Sequence, residues 1–233
     1  MKVVRKAVRG LGARRTRRAN FQCFSFVHQM ADTPVSVPSV LELARTIVAQ
    51  AVRQGDTVVD ATVGNGHDTL FLAECVGPSG QVYGFDVQEA AIAATQLRLR
   101  ERALAERVHL HHGGHERMRD ALPPDVQGRI RAVMFNLGYL PGAPEKTVMT
   151  RPETTLAALD AALDLLTPGG VITAVVYPAH EGGREEAEAV DQWAATRPRD
   201  RCRAYTYAPL NTLRPAPRLV ILEKVAGHQL PVR

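Results

Sequence analysis

Thr57–Ala73 reads TVVDATVGNGHDTLFLA and Gln81–Asp86 reads QVYGFD, and these two runs decide the fold. The first run starts with apolar residues and ends in an acid, and a loop with two glycines then leads into a helix-like apolar pattern. The second apolar run also ends in an acid. This order of features predicts a strand, a helix and a second parallel strand, with a ligand-binding loop at the first turn.

The loop between the first strand and its helix indicates a ligand that contains a nucleoside. Small residues let a ligand approach the backbone, glycine also permits positive φ, and the next helix presents free N–H groups. Asp86 follows Gly66 by 20 residues. An acid at about this distance, roughly 20 residues, meets ribose hydroxyls in dinucleotide-binding folds. The spacing fits NAD, FAD and S-adenosyl-L-methionine (SAM) equally well.

The composition of the loop distinguishes among these ligands. A pyrophosphate site uses the pattern G-x-G-x-x-G, whereas Gly64–Thr69 lacks the third glycine and carries Asp68 where phosphate would lie. SAM has no phosphate and carries a positive sulfonium and an amino group, which Asp60 and Asp68 suit. We therefore expect SAM rather than a dinucleotide. The alternative is that Asn65 or Asp68 only caps the helix.

Length, hydropathy and cysteine usage indicate the class of protein. The 233 residues suit one domain with a single core, and no apolar run is long enough to cross a membrane. The three cysteines are far apart and form no Cys-x-x-Cys pair, which argues for a reducing compartment and against a disulfide framework or a zinc site. We expect a cytoplasmic protein without a metal.

Positive charge is concentrated in an N-terminal tail. The formal net charge is +5, and removing the eight basic residues that precede the first acid leaves −3 for the rest. We expect residues 1–34 to be a disordered extension and residues 35–233 to be the folded domain. The tail could bind RNA phosphates or be a solvated arm. It could also be a transit peptide, or a gene-model artefact that precedes a natural start at Met30. The eight residues are Lys2, Arg5, Lys6, Arg9, Arg14, Arg15, Arg17 and Arg18.

Hydrophobic periodicity predicts alternating strands and helices, and therefore an α/β sheet that binds ligands at the carboxyl ends of its strands. The predicted strands are 57–60, 81–86, 108–111, 130–136, 171–177, 203–207 and 219–223, the last two antiparallel. The predicted helices are 35–52, 68–76, 90–106, 154–166 and 185–196, with Pro38 near the first start and Thr167–Gly170 as the stop after 154–166. Buried positions expected in 90–106 are Ile92, Leu97, Leu99 and Leu104.

A second polar cluster follows the fourth predicted strand, in Phe135–Gly142, which reads FNLGYLPG. In this fold the position faces the methyl group of SAM, and methyl transfer needs a nucleophile with a free lone pair held about 3 Å away. The side-chain carbonyl of Asn136 or a backbone carbonyl in Leu137–Gly138 can accept an amine N–H and aim the lone pair. Tyr139 can stack on a planar base. The alternative is a plain turn with a buried tyrosine.

Three motifs together resemble the bacterial "putative rRNA methylase" family, whose characterised members are tRNA methyltransferases acting on 5-aminomethyl-2-thiouridine at the wobble position. The motifs are residues 60–69, residues 135–142, and residues 176–183, which read VYPAHEGG. The resemblance covers Val35–Lys224. It implies a class I SAM-dependent methyltransferase with a seven-stranded sheet whose last strand is antiparallel, tRNA as partner, and 5-methylaminomethyl-2-thiouridine as product. A homodimer is compatible with the family.

The resemblance also assigns residues to the cofactor site. Asp86 would take the ribose hydroxyls with Gln88 beside it, and Gly114 and His115 would border the adenine. The turn at residues 136–139 stands where many amino-methyltransferases have Asn-Pro-Pro-Tyr, with Leu-Gly here in place of Pro-Pro. The loop residues that would hold SAM are Asp60, Thr62, Gly64, Asn65, Gly66, His67, Asp68 and Thr69.

Candidates for substrate contact and proton transfer lie beyond this turn. Lys146 and Arg151, in a segment that belongs to the resemblance, would contact phosphates, or they are solvated surface. At the end of the fifth predicted strand, the candidates for a general base are Tyr177, His180 and Glu181. Of these, His180 could titrate near neutrality. Alternatively, His180 and Glu181 only close the pocket.

Other functions stay open beside tRNA methylation. The chain could methylate ribosomal RNA or a small amine, bind RNA without catalysis, or be an NAD-dependent oxidoreductase. Asp68 argues against the oxidoreductase, and the presence of Asn136 and Tyr139 argues against a protein without catalysis. Without the resemblance, the residues do not separate tRNA from ribosomal RNA, because base identity is read by the shape of the pocket.

Overall fold

The structure, a computed structural model, describes residues 36–138, 149–180 and 182–226 of the chain. Within these ranges no helix is long and apolar enough to cross a membrane. The strands are β1 (Thr57–Asp60), β2 (Gln81–Asp86), β3 (Val108–His112), β4 (Ile130–Asn136), β5 (Leu166–Val176), β6 (Cys202–Tyr207) and β7 (Arg218–Lys224). The helices are α1 (Val40–Ala51), α2 (His67–Val76), α3 (Glu89–Glu101), α4 (Met118–Ala121), α5 (Pro152–Leu165) and α6 (Gly183–Ala195).

The seven strands form one sheet in the order β3-β2-β1-β4-β5-β7-β6. Strands β1 to β5 pair in parallel, and β7 runs antiparallel to both β5 and β6. This confirms the predicted α/β fold with seven strands and an antiparallel last strand. The carboxyl ends of β1, β2, β4 and β5 therefore lie along one edge of the sheet, where the sequence motifs also fall.

Alternating side chains of the central strands build a core on each face of the sheet. On one face, Val59 of β1 and Val133 of β4 pack with apolar residues of α5 and α6. On the other, Val58 and Ala132 pack with residues of α1 and α2 and with Leu99 of α3. The helices therefore cover both faces and leave the strand ends available for a ligand.

Two predicted helix boundaries differ from the observed ones. The first helix begins at Val40 rather than residue 35 because Ser39 caps it: the Ser39 hydroxyl accepts from the Glu42 N–H at 3.3 Å, and the Glu42 carboxylate accepts from the Ser39 N–H at 2.8 Å. Helix α3 ends at Glu101, and the chain reverses at Ala103 with φ of 54°. The prediction that Leu97 is buried is also wrong, because it is 58% exposed.

Two further local predictions concern helix ends. The stop predicted after residues 154–166 is confirmed, because α5 ends at Leu165 and Thr167–Gly170 falls within β5, where the register with β4 shifts. Neither Asn65 nor Asp68 caps α2: its N-cap is a glycine, Gly66, in the left-handed conformation, with no side-chain cap.

Candidate functional site

The loop after β1 is held from beneath by Asp60, which is 1% exposed. One carboxylate oxygen of Asp60 accepts from the Thr69 hydroxyl at 2.6 Å, and the other accepts from the Thr62 N–H at 3.1 Å. Both ends of the loop are thus tied to a single buried side chain. The structure places Asp60 and Thr69 under the loop, where they shape it rather than line its surface.

Burial raises the pKa of Asp60 to about 7, and the nearby charge of Asp68 adds to the shift, while the hydrogen bonds from Thr69 and Thr62 oppose it. The carboxylate of Asp86 raises the pKa of Asp60 further. These three acids therefore lie close enough to influence one another. Their combined field favours a positively charged ligand over a phosphate.

Arg45 of α1 neutralises one of these acids. Its Nε and Nη2 approach the same oxygen of Asp68 at 2.9 and 2.8 Å. The sequence suggested Asp68 as a direct partner of a cationic ligand, and the structure pairs it within the protein instead. Among the described residues, Asp86 is therefore the loop acid that is neither fully buried nor paired with a cation.

Asp86, at the carboxyl end of β2, closes the other side of the loop. Its two oxygens accept from the Gly64 N–H at 2.7 Å and the Gln88 N–H at 2.8 Å. The side chain is only half-buried, and each oxygen keeps a further lone pair. Asp86 can therefore accept from two neighbouring hydroxyls, as the sequence spacing suggested for a ribose. Gly114 lies just beyond it, since the preceding Gly113 N–H donates to the Asp86 carbonyl at 2.8 Å.

Helix α3 supports the loop from behind through residues that the sequence analysis did not identify. The Thr95 hydroxyl donates to the Gly64 carbonyl at 3.2 Å, and Arg98 donates to the Asn65 carbonyl. A Cβ on Gly66 would lie 2.6 Å from the Thr95 hydroxyl, so only glycine fits there. His67, at the start of α2, is exposed beside this loop.

His115 is buried and turned toward the protein. Its Nδ1 lies 3.1 Å from the Ala61 carbonyl, and its ring packs edge-on against Phe135. Burial lowers the pKa of His115, with a smaller opposing effect from its contact with Ala61. The imidazole is therefore neutral near pH 7 and fixes the base of the loop, while its backbone stays beside Gly114.

The turn after β4 is joined directly to the cofactor loop. The Asn136 N–H donates to the Thr62 hydroxyl at 2.7 Å, and the Asn136 side chain is exposed. The Leu137 N–H donates to Val175 of β5 at 2.9 Å, and its side chain is buried in the core. Leu137 can thus offer only its backbone at this turn, whereas Asn136 can offer its side chain.

Gly138 adopts a φ of 125°, a conformation that L side chains rarely take. A Cβ there would lie 3.2 Å from Nε2 of His180 and 3.8 Å from a ring carbon of Tyr177. The structure therefore brings the turns after β4 and β5 together. Burial raises the pKa of Tyr177, and the charge of Asp68 contributes, which relates Tyr177 to the cofactor loop as well.

The remaining predicted residues fall in two groups. Arg151 is exposed immediately before α5. Tyr139, Lys146 and Glu181 lie outside the described residues. The sequence did not indicate Thr150, which contacts Gly138 in the turn after β4, or Glu186, which contacts Thr150. These two residues are 36 positions apart, so no local pattern relates them.

The residues around the loop fit SAM. They offer carboxylates, carbonyls and backbone N–H groups. The cation beside the loop acids, Arg45, forms an ion pair with Asp68. In the ranges that the structure describes, no three histidine, cysteine, aspartate or glutamate side chains converge as a metal site. Asp86 with Gln88 and Gly114 would hold the nucleoside, and the loop at residues 62–66 would face the amino-acid end.

Comparison with known families supports SAM as the cofactor. The family model described as "Putative rRNA methylase" matches residues 82–223, and that of the "ubiE/COQ5 methyltransferase family" matches residues 40–123. A curated relative from Arabidopsis thaliana, "tRNA (mnm(5)s(2)U34)-methyltransferase, chloroplastic", is 42% identical over 166 residues, covering 67% of this chain and 59% of that protein. The chain thus spans less than two thirds of that relative's length.

Two crystal structures share the fold over 82% of this chain. A "putative rRNA-methylase" from Clostridium thermocellum is 40% identical with a TM-score of 0.78, covering 82% of this chain and 100% of that chain. A "putative methyltransferase" from Streptococcus mutans, in complex with SAH, is 34% identical with a TM-score of 0.73 and the same coverage. The chain therefore belongs to the family described as "Putative rRNA methylase" and is a SAM-dependent methyltransferase.

Proposed function

We propose that this enzyme methylates the amine of 5-aminomethyl-2-thiouridine at the wobble position of tRNA, giving 5-methylaminomethyl-2-thiouridine. The observation that carries the proposal is the turn Asn136–Gly138, which lies against the cofactor loop and presents an amide side chain at the end of β4. The name of the Arabidopsis relative, 42% identical over 166 residues, supports the choice of substrate.

The turn Asn136–Gly138, which we call the acceptor turn, suits an amine nucleophile. SAM, when bound, supplies a methyl group on a sulfonium, and a neutral amine must direct its lone pair at that methyl. The Gly138 carbonyl already accepts from the Thr150 N–H at 3.0 Å. The Asn136 side-chain oxygen and the Leu137 carbonyl therefore remain as the acceptors that we assign to the amine N–H groups.

We assign the surroundings of the turn to substrate recognition and proton removal. His180 lies against Gly138. We assign its imidazole as the base that takes the proton released after methyl transfer. Tyr177 would form the wall beside it. Tyr139 would stack on the base, and Lys146 and the exposed Arg151 would contact phosphates.

A second candidate substrate is ribosomal RNA. The description of the matching family names rRNA, and the acceptor turn carries no feature that selects one RNA over another. The site chemistry would be the same for either RNA, so only the identity of the methylated nucleoside separates them.

The test is incubation of the purified enzyme and SAM with tRNA from a strain that lacks this gene, followed by nucleoside mass spectrometry. We expect 5-aminomethyl-2-thiouridine to gain one methyl group. Ribosomal RNA from the same strain is the parallel substrate, and Asp86→Ala enzyme is the control for cofactor dependence. Methylation of ribosomal RNA alone would replace the tRNA proposal, and methylation of neither would contradict both.

A further inference from the structure

A buried carboxylate lies behind the acceptor turn. Glu186 of α6 is 2% exposed, and its two oxygens accept from the hydroxyls of Thr150 and Thr155, each at 2.7 Å. Among the described residues no lysine or arginine pairs with it. Burying a carboxylate without a cation is costly, so its presence calls for a specific task.

The contacts of Thr150 indicate that task. A threonine hydroxyl has one proton to donate, and Thr150 donates it to Glu186. The oxygen of the same hydroxyl can then only accept from its other neighbour, the Gly138 N–H, which lies at 2.8 Å. The carboxylate thus fixes the orientation of the hydroxyl, and the hydroxyl fixes the amide.

Gly138 receives this support in a backbone conformation that residues with side chains rarely adopt. It is held at a φ of 125° between Thr150 on one side and His180 on the other. A second hydrogen bond joins Thr150 and Gly138, in which the Thr150 N–H donates to the Gly138 carbonyl at 3.0 Å. Rotation of this peptide would displace the Leu137 carbonyl, which we assign to the amine.

We propose that Glu186 is a positioning residue for methyl transfer, acting through Thr150 on the backbone of Gly138. This inference rests on the proposed function of the turn as the amine acceptor site. Glu186 touches neither cofactor nor substrate in this assignment. It sets the carbonyls of Asn136–Gly138 in the orientation that aims the amine.

The competing role is a tie between α5 and α6. Thr155 of α5 shares the same carboxylate but makes no bond to Gly138, so Thr155→Val removes the tie and leaves the turn untouched. Thr150→Val removes the bond to the turn, and Thr150→Ser keeps it. Glu186→Leu removes the carboxylate without leaving a buried charge, and Glu186→Gln keeps an acceptor for Thr150.

The experiment measures Gly138 amide hydrogen exchange by NMR, SAM affinity by calorimetry, and kcat and KM with tRNA for all five variants. In Thr150→Val and Glu186→Leu we expect Gly138 exchange to rise and kcat to fall by roughly tenfold to a hundredfold, as for a misplaced reacting group. SAM affinity stays within about twofold because the cofactor loop is unchanged. Thr150→Ser, Glu186→Gln and Thr155→Val keep kcat within roughly threefold of wild type, since each retains the bond to Gly138.

Wild-type Gly138 exchange and kcat in Glu186→Leu would overturn the inference. Equal losses in Thr155→Val and Thr150→Val would also overturn it, because a tie between helices predicts that result. If wild-type enzyme methylates no amine, the proposed function fails. Hydrogen exchange at Gly138 then still decides whether Glu186 holds the turn.

Discussion

Asp60 and Asp86 end neighbouring strands with the same side chain, yet their surroundings give them different tasks. Asp60 is enclosed and bonded to the loop that it supports. Asp86 is half-buried and anchored by two backbone N–H groups, with lone pairs left over for a ligand. Two consequences at the scale of single residues follow from this difference.

Asp86→Ala should weaken SAM binding by roughly tenfold to a hundredfold, the effect of losing hydrogen bonds to a charged group. Calorimetric titration with SAM measures it. Asp200→Ala, a change of the same type in an exposed turn far along the chain, is the matched control and should bind as wild type does. Equal affinity of wild type and Asp86→Ala would contradict the assigned ribose contact.

Asp60 should make the stability of the fold depend on pH. Its pKa is raised from 3.8 to about 7 in the folded state, so between these values the folded protein holds a proton that the unfolded chain has lost. Stability from this group is therefore fully present below about pH 4 and is lost as the pH rises through about 7.

Asp60→Asn isolates that effect, because the amide keeps the shape and cannot titrate. Denaturant unfolding of both proteins from pH 4.5 to 8 gives the difference in free energy of unfolding. Wild type should lose stability relative to Asp60→Asn up to about pH 7, with no further change above it. A constant difference across this range would show that Asp60 titrates normally.

At the scale of secondary-structure elements, the local signals predicted most of the framework. The β1–α2–β2 unit, the acid at the end of β2 and the turn after β4 all follow from short-range patterns, and the structure has them. What the sequence could not predict depends on partners far along the chain. Arg45 with Asp68, Thr95 with Gly64, and Glu186 with Thr150 meet only after folding.

The same reason explains the errors in the predicted elements. Leu97 fits the helical periodicity, yet α3 buries Thr95 in its place, while Leu99 is buried as predicted. Similarly, local patterns do not show that the side chains of Asp60 and His115 are buried; their assignment to the cofactor site stays a prediction.

The turn after β4 gives a prediction that belongs to the element. Gly138→Ala should lower kcat by roughly tenfold or more, because a Cβ both strains the backbone and presses on His180. Gly128→Ala is the matched control, since Gly128 also has positive φ, at 75°, and has nothing within 4 Å of its Cβ position.

Steady-state kinetics and thermal unfolding of the two alanine variants separate strain from function. Both should be less stable by about 1–2 kcal/mol, the usual cost of positive φ for a residue with a side chain. Only Gly138→Ala should lose turnover. Normal kcat in Gly138→Ala would remove the turn from the catalytic assignment.

At the scale of the whole molecule, charge is divided unequally along the chain. Eight cations precede the first acid, and the remainder carries a formal −3 from a total of +5. An acidic domain repels RNA at long range, whereas a basic segment attracts it. We therefore expect residues 1–29 to contribute to RNA affinity without contributing to the chemical step.

Deletion of residues 1–29 should weaken tRNA binding and reduce its dependence on salt. The slope of log K against log salt concentration should become shallower by roughly 0.7–0.9 for each phosphate that the tail no longer neutralises. Binding titrations at several salt concentrations measure both. A full-length variant with Arg14, Arg15, Arg17 and Arg18 changed to glutamine controls for chain length and should show part of the same weakening. An unchanged slope after deletion would leave the tail without a role in RNA binding.

One hydrogen bond described above joins the two halves of the site: the Thr62 hydroxyl of the cofactor loop accepts from the Asn136 N–H of the acceptor turn. If either ligand orders this bond, the other binds to a site that is already arranged, and thermodynamic linkage requires the benefit to be reciprocal. We expect positive cooperativity, with tRNA binding more tightly in the presence of S-adenosylhomocysteine. In Thr62→Val, the tRNA affinities with and without S-adenosylhomocysteine should become similar. Equal affinities under these two conditions in wild type would mean that cofactor and tRNA bind independently.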